Sequence, residues 1–284
     1  MENFSKQNVI WLGGGNKQPS ILEENVRVQK CLFIHPWDIM FAAHGLAFSF
    51  DFISQHQSIL GGLYNCFTDD LSRQVMLKYI EARIYADAKE LERLNVLGES
   101  EYFPELMNIS DNEIFVDCGA YDGDSIESFL DTVDGKYNKI FAFEADLFNC
   151  EEFKKKLMNR KNIILFQKAA WNGKAILHFS DRGNMTSSVN ENGSIKIEAD
   201  SIDNVLGCEE VTFIKMDIEG AELNALKGAE KNIKQNKPKL AICAYHKETD
   251  LITLPQYILS LNPDYKLYLR HYGDLCTKLI LYAI

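Results

Sequence analysis

From about Asp111 onward, short β-branched and aromatic runs alternate with stretches of helical periodicity. This alternation restricts the chain to a mostly parallel sheet carrying helices on its faces. Ile114-Phe115-Val116, Ile140-Phe141-Ala142-Phe143, Ile163-Ile164-Leu165-Phe166, Val211-Thr212-Phe213-Ile214 and Leu240-Ala241-Ile242-Cys243 read as strands. Two more close the chain, near Lys266 to Leu269 and Leu279 to Ala283. Between the first two strands, Ile126, Phe129 and Val133 share one helix face, with Asp124 or Ser125 as the cap. Leu223, Leu226 and Ile233 mark a second crossover helix ahead of Pro238. The stretch from Ala175 to Ile197 has an Asn/Gly/Ser-rich centre and is expected to form a hairpin-like insertion. Upstream, Thr68-Asp69-Asp70 starts a helix in which Leu71, Val75, Tyr79, Ala82 and Ala86 recur at helical spacing, and it is expected to run to Leu94. Val9-Ile10-Trp11-Leu12 before Gly13-Gly14-Gly15 reads as the strand and turn of a small α/β piece. The expected division is an N-terminal, mostly helical extension over residues 1–105 and an α/β domain over 106–284.

Charge narrows the classes of function. Acids outnumber bases 41 to 30, for a net charge of −11, and the basic residues are scattered among acids. Nucleic-acid binding needs clustered Lys and Arg, so it is disfavoured. Lys154-Lys155-Lys156 sits at helical spacing and reads as a solvated helix face. The seven cysteines contain no CxxC pair, which argues against a zinc knuckle and a dense disulfide framework. The first residues lack a basic start and apolar run, and no apolar stretch approaches the roughly 20 residues that span a bilayer. A reduced cytoplasmic protein without membrane insertion is expected.

The chemistry-bearing residues follow the strands. Val116-Asp117-Cys118-Gly119-Ala120-Tyr121-Asp122-Gly123-Asp124 leads from a strand into a helix. Gly119 and Gly123 let backbone approach a ligand, and the helix start offers unpaired amides. It lacks the third glycine of the dinucleotide fingerprint, and Asp117 and Asp122 suit a cationic sulfonium better than a pyrophosphate. S-adenosylmethionine is therefore the expected cofactor. Glu144 ends the second strand at the spacing where a carboxylate meets ribose hydroxyls. Ala120, Tyr121, Ala145 and Ala169 complete the expected cofactor contacts. Asp217 and Glu219, in the polar turn after the fourth strand, are expected to orient the acceptor or face the sulfonium. His246 is the general-base candidate. Tyr245, Lys247, Arg270 and His271 are candidate acceptor contacts. No acid cluster shows His/Cys metal spacing, although Asp217 with Glu219 offers oxygen ligands to a hard ion, and no metal is expected.

In order along the chain, Ile114 to Asp124, Phe143-Glu144 and Ile214-Lys215-Met216-Asp217-Ile218-Glu219-Gly220-Ala221-Glu222 resemble the FkbM family of methyltransferases. The resemblance runs from about Tyr102 to Ile284. It implies a class I methyltransferase fold, Rossmann-like, with a seven-stranded sheet whose last strand is antiparallel. It also implies S-adenosylmethionine across the carboxyl ends of the first strands and O-methylation of a sugar or polyketide hydroxyl, in surface-glycan or natural-product biosynthesis. By matching position, Asp117, Gly119 and Gly123 hold the methionine part and Glu144 the ribose. The family usually has Pro after that Glu, whereas Ala145-Asp146 stands here, which puts the loop path in question. The first hundred residues carry no family motif, and acceptor specificity or a homo-oligomer contact is their expected role.

The acceptor reading is a small molecule or a glycan. N-methylation of an amine stays open, since a neutral amine attacks without a base. A nicotinamide-dependent oxidoreductase and a non-catalytic nucleotide-binding protein are the rival readings.

Overall fold

The computed structural model describes residues 48–85, 87–179, 195–274 and 276–284. The strand and turn expected over Val9 to Gly15 lie outside the described residues, as does the centre of the expected insertion. Two helices, α1 (Phe50–Cys66) and α2 (Asp70–Tyr85), and a short α3 (Lys89–Glu92) precede the sheet. Strands β1 (Ile114–Cys118), β2 (Lys139–Glu144) and β3 (Ile163–Gln167) are joined by α4 (Asp124–Thr132) and α5 (Leu147–Leu157). Then come β4 (Ala169–Ala170), β5 (Ala175–Phe179), β6 (Ile195–Asp200), α6 (Ile202–Leu206), β7 (Phe213–Met216), α7 (Glu222–Gly228) and α8 (Glu230–Asn236). The remainder is β8 (Lys239–Cys243), α9 (Asp250–Leu261), β9 (Leu267–His271) and β10 (Leu279–Ala283).

The seven-stranded sheet has the order β3-β2-β1-β7-β8-β10-β9. Its first five strands are parallel, and β10 lies antiparallel between β8 and β9. The chain leaves β1 toward β2 and β3, then returns to β7 on β1's other side. That reversal opens a crevice at the carboxyl ends of β1 and β7, the place where ligands bind in open α/β sheets. Beside it, β5 pairs antiparallel with β6, and β4 pairs parallel with β6, so the insertion is a small second sheet.

Both faces of the main sheet are covered, which is why its strands read as continuous apolar runs rather than alternating ones. On one face Phe115 stacks on Phe213 at 4.9 Å, with Phe129 and Phe103 beside them. Each fully buried ring contributes about 2 to 3 kcal/mol. On the other, Val116, Ile214 and Leu240 share a core with Leu226, Ile233 and Leu254, and with Val75, Met76 and Tyr79 of α2. The upstream helices therefore belong to the sheet's own core. Among the described residues no helix is long and apolar enough to cross a membrane.

Three expected elements differ. The helix expected from Thr68 to Leu94 spans Asp70 to Tyr85, and a separate short helix begins at Lys89, whose amide the Asp87 carboxylate accepts at 3.2 Å. The helix through Leu223 and Ile233 is two helices broken at Ala229. Gly228 lies so close to Trp171 that a Cβ would fall 1.9 Å from its carbonyl oxygen. Asp203 takes the Lys231 and Asn232 amides at 2.7 and 3.0 Å, capping the second helix from outside. Neither Asp124 nor Ser125 caps α4: Gly123, at φ 95°, precedes it, and the Ser125 hydroxyl is used elsewhere.

Candidate active site

The carboxyl ends of β2, β1, β7 and β8 stand side by side, and the turn after each supplies part of one polar edge. After β1 the chain turns through Gly119 (φ 79°), Tyr121 (φ 47°) and Gly123 (φ 95°). A Cβ on Gly119 would lie 1.9 Å from the Asp217 carbonyl oxygen, so this glycine serves the contact between two turns of the protein itself. The Gly119 and Ala120 amides donate to Phe143 O at 2.9 and 3.1 Å. Tyr121 donates its amide to Glu144 Oε2 at 2.8 Å and leaves its ring partly exposed.

Asp117 corrects the expectation that it faces a sulfonium. It is fully buried, opposite Lys215 in the β1–β7 register, and Lys215 Nζ lies 3.0 Å from its Oδ1. The Ser125 hydroxyl donates to Oδ2. Burial works against the Lys215 charge, but Asp117 and Asp217 outweigh it and keep the ammonium protonated. Lys215 also donates to Gly119 O at 2.8 Å, so the buried pair holds the glycine loop. Glu144 ends β2, where Oε1 accepts the Asp146 amide at 2.8 Å. Burial pushes its carboxyl up against these amide bonds. Ala145 is half-buried beside it, Asp146 caps α5, and Ala169 sits in β4 just past β3.

The turns after β7 and β8 bring Asp217, Glu219 and His246 together. Glu219 has φ 55°, a strained value for a non-glycine residue. Glu222 Oε1 accepts the Ile218 and Gly220 amides at 3.0 and 3.3 Å and fixes the turn from within. The same oxygen lies 2.9 Å from His246 Nδ1, which donates because a carboxylate only accepts. His246 Nε2 stands 3.5 Å from Asp217 Oδ1 and 3.6 Å from Glu219 Oε2. The Tyr102 hydroxyl donates to Asp217 Oδ2 at 2.8 Å.

Burial disfavours the charged His246 ring, but Glu222, Asp217 and Glu219 outweigh it and push the ring up to about 9. The surrounding carboxylates thus favour the protonated ring, which weighs against His246 as a ready base. Burial, with Asp217 and Glu222, pushes Glu219 up to about 7 against the pull of His246. Burial opposes ionisation of Asp217, yet Lys215, His246 and Tyr102 hold its carboxyl below the usual range.

Of the expected acceptor contacts, Tyr245 packs its ring 4.2 Å from that of His246, and exposed Lys247 lies over Gly220. Arg270 and His271 are corrections. Arg270 is buried and bonds Asp69 Oδ2 at 2.6 Å and the Ser72 hydroxyl at 2.8 Å, tying β9 to α2. His271 is fully buried with Nδ1 on Asn95 Oδ1. Neither reaches the edge. Lys215, Tyr102 and Glu222 were given no role by sequence reasoning. For Lys215 the signal was present, since a Lys two residues before Asp217 in a buried strand needs a buried partner.

Residues 117–276 match the methyltransferase FkbM domain. The fold is similar to that of a methyltransferase FkbM from Methylobacillus flagellatus, 26% identical over 93% of this chain and 70% of that one, with a TM-score of 0.77. An rRNA methylase from Streptococcus thermophilus is 18% identical over 63% of this chain and 89% of that one, with a TM-score of 0.41. Fibrillarin from Aeropyrum pernix, solved with natively bound S-adenosyl-L-methionine, is 9% identical over 62% of this chain and 69% of that one, also at 0.41. No curated protein matches the chain.

Proposed function

Since the chain belongs to the FkbM family of methyltransferases through residues 117–276, we propose that it methylates a hydroxyl oxygen of a sugar, glycan or natural-product acceptor. The enzyme is a methyltransferase, its cofactor is S-adenosylmethionine, and the nicotinamide reading falls away with that assignment. When bound, this cofactor supplies a methyl group on a cationic sulfur.

The carboxyl edge fits such a group. Each Glu144 oxygen accepts one backbone amide, from Tyr121 or Asp146, and an ionised carboxylate has lone pairs left for a ribose diol. The loop from Gly119 to Gly123 would hold the methionine part, with Asp117 acting through the loop rather than by contact. Asp217 and Glu219 add partly exposed carboxylates that favour a cation.

The observation that carries the hydroxyl reading is the convergence of Asp217, Glu219 and His246 one strand away from the glycine loop. Their side chains are 27%, 34% and 8% exposed, so two partly exposed carboxylates lie beside a buried ring. Carboxylates accept hydrogen bonds from hydroxyls, and a sugar presents several at once. Held there, the acceptor oxygen needs no further collision to meet the methyl group. Its proton leaves toward the neighbouring carboxylates. Tyr245, packed on His246, and Lys247, beside Gly220, would contact the acceptor next to this cluster. The residues before the sheet are proposed to shape the acceptor side or a homo-oligomer contact.

The test is methyl transfer from isotopically labelled S-adenosylmethionine to a panel of sugars and amino sugars, some with blocked hydroxyls and some with blocked amines. The reading predicts label on hydroxyl-bearing acceptors and none once the hydroxyls are blocked. Label that survives hydroxyl blocking but not amine blocking would move the reaction to nitrogen.

A further inference from the structure

We propose that Asp217, Glu219 and His246 form a binding site for a divalent transition-metal ion, with two carboxylate oxygens and one imidazole nitrogen as its protein ligands. One ligand atom from each lies within 4.8 Å of the others. The distances from His246 Nε2, 3.5 Å to Asp217 Oδ1 and 3.6 Å to Glu219 Oε2, are too long for good hydrogen bonds. They match a shared ion: bonds of about 2.1 Å at open angles leave two ligands roughly 3.0 to 3.6 Å apart.

The histidine supplies an independent observation. Its side chain is only 8% exposed, and Nε2 is buried without a hydrogen-bond partner while aimed at the two carboxylates. Nδ1 is held at 2.9 Å by Glu222, itself fully buried and fixed by the Ile218 and Gly220 amides. A carboxylate on the far ring nitrogen is the arrangement that sets the tautomer of a metal-bound histidine and leaves Nε2 free to coordinate. Tyr102 does the same for Asp217, occupying Oδ2 and leaving Oδ1 toward the ring.

Charge points the same way. Lys215 already pairs with Asp117, so Asp217, Glu219 and Glu222 surround His246 with more negative charge than the chain's own cations neutralise. The mixed oxygen and imidazole set favours Mn²⁺, Fe²⁺ or Zn²⁺ over Ca²⁺. Three ligands leave coordination positions open on the exposed side of the carboxylates. Sequence spacing hid this arrangement, because the imidazole and the two carboxylates come from turns after different strands. That replaces the expectation of no metal. The cation's role, binding the acceptor oxygen and favouring its deprotonation, rests on the methyltransferase reading, but its binding does not.

The test is a titration of the purified full chain with Mn²⁺ alone, followed by electron paramagnetic resonance, and with Zn²⁺ alone by calorimetry. The same is done on His246→Ala, Glu219→Gln and Glu222→Gln, with Glu248→Gln as a control. S-adenosylhomocysteine binding is measured in every sample as a separate readout of fold and cofactor site. The expected result is one ion per chain, weakened at least tenfold by His246→Ala and Glu219→Gln and clearly by Glu222→Gln, with Glu248→Gln unchanged. Glu219→Gln keeps size and shape, so it decides the matter if His246→Ala does not fold. Absence of binding by either ion, or binding that Glu219→Gln leaves unaltered, overturns the proposal. Loss of S-adenosylhomocysteine binding by the unmutated chain would instead count against the function above.

Discussion

Gly119 has no room for a methyl group, because its Cβ position lies 1.9 Å from the Asp217 carbonyl oxygen and its φ is 79°. Gly119→Ala should therefore destabilise the chain by about 3 kcal/mol or more, read from urea unfolding, since overpacking and left-handed strain add. The buried pair beneath it makes a sharper test. Lys215→Met leaves Asp117 charged and unpaired inside the sheet, and should cost about 3 to 5 kcal/mol. Adding Asp117→Asn should recover much of that loss; a double variant no more stable than the single one contradicts the pairing. Gly119, Glu144, Asp217 and His246 could be picked out in the sequence as site candidates because each stands at or just past a strand end beside glycine or polar turns. Lys215 was not assigned, because its partnership with Asp117 is a matter of register between strands far apart in sequence. Tyr102 was hidden because its partner Asp217 is far away in sequence, and the burial of Arg270 and His271 depends on what covers each face of β9, Asp69 and Ser72 for one and Asn95 for the other.

At the scale of elements, one polar contact ties α2 to the sheet. Burial raises the Asp69 carboxyl, but Arg270 and Ser72 outweigh it and hold it at about 2, below its ordinary value of 3.8. A depressed carboxyl contributes stability that is complete above its unfolded value and lost as pH falls through the folded one. Unfolding free energy should thus fall between about pH 4 and pH 2 more steeply in the unmutated chain than in Asp69→Asn, as urea titrations across that window would reveal. Equal slopes would remove the contact from the account. Asp203→Ala should cost about 1 kcal/mol or more by uncapping α8, again from urea unfolding. Strands were legible because a sheet covered on both faces demands uninterrupted apolar runs. The separate short helix from Lys89 and the break at Ala229 were not, since periodicity continues across both, and at Ala229 only the Asp203 cap and a tight approach to Trp171 interrupt the backbone.

For the whole molecule, the reversal of strand order between β1 and β7 places every proposed ligand at one edge. A ligand held there binds only the folded chain, so saturating S-adenosylhomocysteine should raise the melting temperature in a concentration-dependent way. The most direct measurement is a calorimetric titration of the purified chain with S-adenosylhomocysteine and, separately, with NAD, repeated on Glu144→Ala. S-adenosylhomocysteine is expected to bind, Glu144→Ala to weaken that binding at least tenfold, and NAD to give no heat. Binding of NAD without S-adenosylhomocysteine, or S-adenosylhomocysteine binding indifferent to Glu144→Ala, would contradict the placement of the cofactor at this edge.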